Sequence, residues 1–275
     1  MYKVKHFLLF LARIYISFTF RKKEVYVVTG MRRSGNHAFI NWFANALENR
    51  DATFNIVRGN VSLSSTGDTV FFNEVNYFGL MYFISAIREH KLSIIKSSFI
   101  IISLEDYSPK KRDAYTPYNA KKISITRSSL NLIASRLHKQ IEQAKIGFSR
   151  GDMSIDVNFF NRLSWNQNAG RKGWTLWNYD SWLTNNANYR KDFLCIFKLQ
   201  SDISPKISKE GGGSSFSGTN TIPSAEQLIS RWQKILWPTE LLKLLVEPNN
   251  IKVLTKDEKL FIENELAKIK LTTKP

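Results

Sequence analysis

Residues 25–43 read VYVVTGMRRSGNHAFINWF. The opening VYVV is a short, continuous apolar run of strand-forming types, which suits a strand buried on both faces, as in a parallel sheet. It runs into TGMRRSGNHA, after which Phe39, Ile40, Phe43 and Leu47 recur at helical spacing, so a helix is expected over about 35–47. A strand, a glycine-bearing loop and a helix start form an anion-binding device. The free N–H groups of the first helical turn and the positive end of the helix dipole both point at the loop.

The same loop can be set against the nucleotide-triphosphatase pattern G-x-x-x-x-G-K-[ST]. Gly30 and Gly35 have the right separation, but Asn36 and His37 stand where the lysine and the hydroxyl residue belong. The lysine that reaches the outer phosphates and the hydroxyl that holds magnesium are both missing. The loop therefore suits a phosphate without suiting metal-assisted triphosphate cleavage.

Working outward, SFIIIS (98–103) and ISIT (123–126) are further strands of the buried type, and 174–178 is a fourth candidate. Leu130, Ile133, Ala134, Leu137 and Ile141 mark one face of a helix after ISIT. Strands alternating with helices imply a parallel α/β sheet with right-handed crossovers. Residues 147–173 lack clear periodicity and are expected to form an irregular insertion. Residues 209–220 (KEGGGSSFSGTN) form a glycine- and serine-rich loop, with a helix to follow in which Leu228, Ile229, Trp232, Ile235 and Leu236 share a face. An amphipathic surface helix is expected over about 256–270. The whole of 1–275 is read as one domain, which is long enough to bury a core without disulfides or metal.

Forty Lys and Arg against 23 Asp and Glu give a net charge of +17. Such a field attracts polyanions: nucleic acid, anionic lipid, or a phosphorylated or sulfated small molecule. A solvated basic surface gives the same balance. The one cysteine excludes an internal disulfide and fits a reducing, cytoplasmic compartment. Residues 7–20, FLLFLARIYISFTF, lie between basic flanks within a basic and apolar N-terminal segment, 1–23. The apolar run is too short for a span, Arg13 interrupts it, and no small-x-small cleavage site follows. A helix is expected that packs on the domain or lies on the inner face of an anionic membrane.

The segment 25–43 resembles the 5′-phosphosulfate loop of sulfotransferases that use 3′-phosphoadenylyl sulfate (PAPS). In that family a basic residue, then Ser or Gly, then Gly follow the first strand, as Arg33, Ser34 and Gly35 do here. Lysine is the family norm at the basic place, and the loop is similar to the R-R-S-G-N-H loop of bacterial members. A second family motif is an arginine at a strand end with a serine eight residues on, which together hold the 3′-phosphate. Arg127 ends ISIT, and Ser135 follows at that spacing. The family's late R-K-G motif has a match at 171–173, but too early in the chain. The loop in the expected late place resembles that of bacterial carbohydrate sulfotransferases, with Gly213, Ser214 and Ser215 as phosphate donors.

The resemblance implies a P-loop-type three-layer α/β fold with a central, mostly parallel sheet flanked by helices. It implies an enzyme that moves a sulfuryl group from PAPS to a hydroxyl or amine and releases adenosine 3′,5′-bisphosphate (PAP), with no metal required. A carbohydrate or lipid-linked sugar is the expected acceptor, and nucleic acid is not an expected partner. Arg32, Arg33, Ser34, Gly35, Asn36, His37, Arg127 and Ser135 are the expected donor-binding residues, alongside the late loop. Arg33 would offset leaving-group charge, since a guanidinium stays charged and cannot serve as an acid.

The family's base, a His or Glu, lies in the strand before the 3′-phosphate motif. Glu105, 22 residues before Arg127, holds that place. Asp106, His37 and His138 are alternatives, and His37 is also a candidate for touching the donor sulfate. Asp68 and Glu74 are candidates for facing the acceptor, without assigned roles. Trp42 is read as core; Trp174, Trp177 and Trp182 are read as core or as a sugar-stacking face. Two rival readings remain. One is a P-loop kinase or NTPase with a degenerate loop, against which stand Asn36 and the arginine ending ISIT where a magnesium aspartate would be sought. The other is a non-catalytic basic module that binds nucleic acid or membrane.

Overall fold

The structure, a computed structural model, describes residues 2–50, 53–58, 60–107, 114–145, 154–184, 187–199 and 229–272. Helix α1 (Tyr2–Thr19) leads into β1 (Glu24–Gly30) and α2 (Asn36–Glu48). Then follow β2 (Phe54–Arg58), β3 (Val61–Ser64), β4 (Thr69–Phe72), and helices α3 (Val75–Phe78), α4 (Leu80–Glu89) and α5 (Lys91–Lys96). Strands β5 (Phe99–Glu105) and β6 (Lys121–Thr126) precede α6 (Ser129–Lys145) and α7 (Val157–Gln167). Next come β7 (Thr175–Asn178), α8 (Tyr179–Leu183) and α9 (Ala187–Ile196). A 3-10 turn (Arg231–Lys234), α10 (Thr239–Leu245) and α11 (Lys256–Thr272) complete the described chain.

The sheet order is β2-β3-β4-β5-β1-β6-β7. The five strands from β4 to β7 run parallel, and β2 and β3 extend one edge as an antiparallel meander. The fold is thus α/β with a mostly parallel central sheet covered by helices on both faces. Alternation within β1 shows the layering. Tyr26 and Val28 join a core with Phe39 and Phe43 of α2 and Phe193 of α9, whereas Val25 and Val27 join one with Ile16 of α1 and Phe83 of α4. A third core packs Leu130 and Ile133 of α6 on Phe159 and Leu163 of α7, with Leu241 and Ile262 behind them.

The four expected strands are present, as are the helices after the loop, after ISIT and at 256–272. Two expectations are corrected. The irregular insertion contains α7, capped by Asp156, whose side chain accepts from the Phe159 N–H at 2.8 Å. Its Phe159, Phe160 and Leu163 do repeat at helical spacing, but across only three turns that polar residues interrupt. Residues 231–234 form only a 3-10 turn, and the expected shared face breaks at Leu236, which is 97% exposed. Arg171 and Lys172 stand just before β7, at the amino edge of the parallel strands, opposite the carboxyl edge where the first loop lies. Residues 209–220, with Gly213, Ser214 and Ser215, lie outside the described residues, as does Leu228.

Candidate functional site

The site lies beyond the carboxyl ends of β1, β5 and β6, where the chain, having left β1 for β4 and β5 on one side, crosses to β6 on the other. Two glycines shape the first loop. Gly35 has φ 95°, and a Cβ there would overlap the Tyr179 ring. At Gly30 a Cβ would overlap the Asn36 side-chain oxygen, so only glycine lets that side chain fold back over the strand end. Ser34 Oγ donates to Asn36 Oδ1 at 3.0 Å, and Asn36 Nδ2 donates to Glu105 Oε1 at 2.6 Å. Asn36, in the place of the triphosphatase lysine, thus binds a carboxylate of this chain.

Glu105 ends β5, pairs with Gly30 across the sheet and is buried. Its backbone is held on both sides by Asn76, whose Nδ2 donates to the Glu105 carbonyl at 2.6 Å and whose Oδ1 accepts from the Glu105 N–H at 3.0 Å. Burial pushes its carboxyl up to about 8, and the charge of Glu74 adds to this. The Asn36 hydrogen bond and the charge of Arg32 oppose the shift, and Asp106 adds slightly. Arg32 sits between the two glutamates, 2.7 Å from Glu74 and 3.5 Å from Glu105.

Asp106 is held by the fold. Its carboxylate accepts from the Arg32 N–H at 3.0 Å and is paired with the buried guanidinium of Arg136, while its own N–H donates to the Gly30 carbonyl at 2.9 Å. It is a brace that ties β5 to the loop. His37 lies in the first turn of α2, and its ring nitrogen falls within 4.8 Å of carboxylate oxygens of Glu74 and Glu105. His138 lies on α6, a turn past Ser135.

The second motif meets the first. Arg33 Nε donates to Ser135 Oγ at 3.2 Å, and Arg127 Nη1 donates to the Arg33 carbonyl at 2.8 Å. Ser135 is buried, but against the loop rather than in the apolar core. Arg127 stacks over the Tyr179 ring at 4.9 Å and lies 3.7 Å from Asp180. Burial raises the Asp180 carboxyl, against the pull of Arg127. The sequence reading missed Arg231, which is buried in the 3-10 turn after the late loop. Burial and the positive charges of Arg127 and Arg33 lower its guanidinium to about 10, with Tyr179 opposing. Its signal, one arginine beside Trp232, was hidden by the hydrophobic pattern around it.

Of the five non-glycine residues with positive φ among those described, three line this site: Arg33 (72°), Glu74 (46°) and Asp106 (47°). Each costs on the order of 1–3 kcal/mol and persists only where its surroundings fix it. Glu74 caps α3 at the carboxyl end of β4, beside Arg32. Asp68 precedes β4 at the opposite edge and pairs with Arg50, so it does not face this site. Trp177 and Trp182 are fully buried beside Trp42, which removes them as sugar-stacking surfaces, and Trp174 packs edge-on against Trp165. The acids on the neighbouring strand are those the sequence named: β5, on the other side of β1 from β6, ends in Glu105, with Asp106 next.

The fold and site together define an α/β protein with a glycine-bearing loop at a helix start, a cluster of arginines on one side and a buried, upward-shifted carboxyl on the other. Comparison with family models, curated proteins and solved structures found no match. Among the described residues no helix is long and apolar enough to cross a membrane.

Proposed function

We propose that this chain is a sulfotransferase that moves a sulfuryl group from PAPS to a hydroxyl or amine, with a carbohydrate acceptor. The observation that carries the reading is the hydrogen-bonded run Arg127–Arg33–Ser135 beside a glycine-bearing helix start, one strand from Glu105. Arg33 and the N–H groups around Ser34 and Gly35 would hold the 5′-phosphosulfate. Arg127, Ser135 and Arg231 would hold the 3′-phosphate, whose negative charge relieves the repulsion that lowers Arg231. The donor supplies an activated sulfur–oxygen bond. Arg33 offsets the charge that develops on the departing phosphate oxygen. Glu105, once ionised, accepts the proton of the attacking hydroxyl or amine, and Asn36 and Asn76 keep it in place. The sugar as acceptor rests on the resemblance to bacterial carbohydrate sulfotransferases.

The test is thermal unfolding with PAP in the absence of magnesium. The melting temperature should rise with PAP concentration, as for any ligand of the native state. Arg127→Ala should shrink the shift and move its onset to about 10–100-fold higher PAP, and Glu105→Ala should keep it. No shift with millimolar PAP would overturn the proposal.

One observation favours a second reading, a metal-assisted phosphoryl transferase: ligand atoms of His37, Glu74 and Glu105 come within 4.8 Å of one another. Arg32, already between the two glutamates, supplies a cation of the chain's own there. Hydrolysis of ATP that rises with added magnesium would favour this reading over PAPS.

A further inference from the structure

Helix α1 has apolar residues on two opposite sides, with Arg13 and Ser17 between them bonded to Thr116 and Tyr118, and a helix with one side in water ordinarily carries one apolar stripe. Ala12 and Ile16 are its buried stripe, continued just past its end by Phe20, and Ile16 and Phe20 join the sheet core. On the opposite side Phe7, Leu11, Ile14 and Phe18 recur at helical spacing and are 59%, 44%, 42% and 62% exposed. This second stripe continues into a groove where Tyr15 and Phe18 of α1 face Ile87 of α4 and Ile94 and Ile95 of α5. Arg21, Lys22, Lys23, Arg88 and Lys91 also line the groove, with no acid among the described lining residues.

We infer that α1 and the α4–α5 edge form a docking surface for an anionic lipid bilayer, with α1 lying along the interface rather than crossing it. An apolar stripe rimmed by cations inserts to the level of the acyl chains while the cations meet the phosphates. α1 has 18 residues, about 27 Å of helix, enough for a long contact in the plane. Lys23, just past α1, donates to the carbonyls of Ile95 and Ser97 at the end of α5, which ties the turn after α1 to that edge. A second copy of the chain fits this face poorly. It would bring five more cations against these five, on a chain already at +17. The inference stands apart from the sulfotransferase reading and does not need it.

The test is sedimentation of the full chain with phosphatidylcholine vesicles, with and without phosphatidylglycerol. Anionic vesicles should bind about tenfold or more tightly than neutral ones, and added salt should erase most of the difference. Phe18→Asp and Ile14→Asp should each weaken binding by about tenfold, while Ile196→Asp, on the opposite face of the sheet, should leave it unchanged. Should a change on α1 cost the fold, Ile95→Asp on α5 gives the same reading from another element. Equal pelleting with neutral and anionic vesicles would overturn the inference. So would Phe18→Asp and Ile95→Asp proteins that both fold and bind like the parent, or a dimer in solution that these changes dissolve.

Discussion

The two ends of the site hold charge in opposite ways. At the end of β5, Arg32 lies between Glu74 and Glu105, and Arg136 is paired with Asp106, so cations and carboxylates offset one another inside the protein. At the end of β6, Arg33, Arg127 and Arg231 gather around Ser135 and Tyr179, and the first and second help to hold the third below its ordinary value. The balanced end carries two of the left-handed residues, Glu74 and Asp106. Under the proposed function, chemistry falls at the balanced end and anion binding at the positive end, on different sides of one loop.

The largest effect should fall on turnover. Glu105→Gln should lower PAPS-dependent sulfation by about 10²–10⁴-fold, the usual worth of a general base, and leave the PAP thermal shift intact. Loss of both together would show that the two ends are not separable. The pH profile sharpens this. Glu105 must be ionised to accept a proton, and its carboxyl is raised to about 8, so turnover should climb with pH and level off above that value. Stability should move the other way. The folded state keeps a proton that the unfolded chain releases in the ordinary carboxylate range, so stability is full below that range and declines as pH rises through about 8. Glu105→Gln should flatten both trends, as read by initial rates and by denaturant midpoints across pH.

A loss of similar size, but in stability, is expected from Arg136→Met. It leaves the Asp106 carboxylate buried without its cation, which costs roughly 3–5 kcal/mol. Adding Asp106→Asn should recover part of that in a double-mutant cycle. A small cost for the single change would mean that the balanced end is not held by its ion pairs.

How far these two ends were legible in the sequence differs in the same way. The loop was readable because its constraints are local: an apolar strand, two glycines and a helical repeat are contiguous in the chain. Arg127 and Ser135 were readable only through the resemblance, whose motif sets an arginine at a strand end and a serine eight residues on in the following helix. The carboxylate end needed strand order, since Glu74 and Glu105 come together only because β4, β5 and β1 are neighbours. Glu74 was therefore noticed but given no role, and Arg136 was not singled out. Arg231 reaches the site from a 3-10 turn, which has no periodicity to place it. Asp68 and Glu74 looked alike in the sequence, yet the one precedes β4 and the other follows it, which puts them at opposite edges of the sheet.

At the positive end, Arg127→Ala and Arg231→Ala should each weaken PAP binding by about 10–100-fold, the range for one charge-assisted hydrogen bond. Arg127 should be the more sensitive, because it also holds the loop through the Arg33 carbonyl. Isothermal titration of each variant checks this. If Arg231→Ala binds PAP as the parent does, the third guanidinium is no part of the pocket.

The smallest effect separates a pocket from a brace. Without nucleotide, Arg231→Met should not destabilise the chain as Arg136→Met does. It removes a charge that Arg127 and Arg33 repel and leaves an apolar stem of similar length in the same buried turn. The unfolding free energy should stay level or rise by up to about 1 kcal/mol, since the change removes both the desolvation cost of the charge and its repulsion from Arg127 and Arg33. Added salt should shrink any gain, because it screens the same repulsion in the parent. A loss as deep as that of Arg136→Met would mean that Arg231 holds the turn to α6, and the contrast between the two ends would no longer stand.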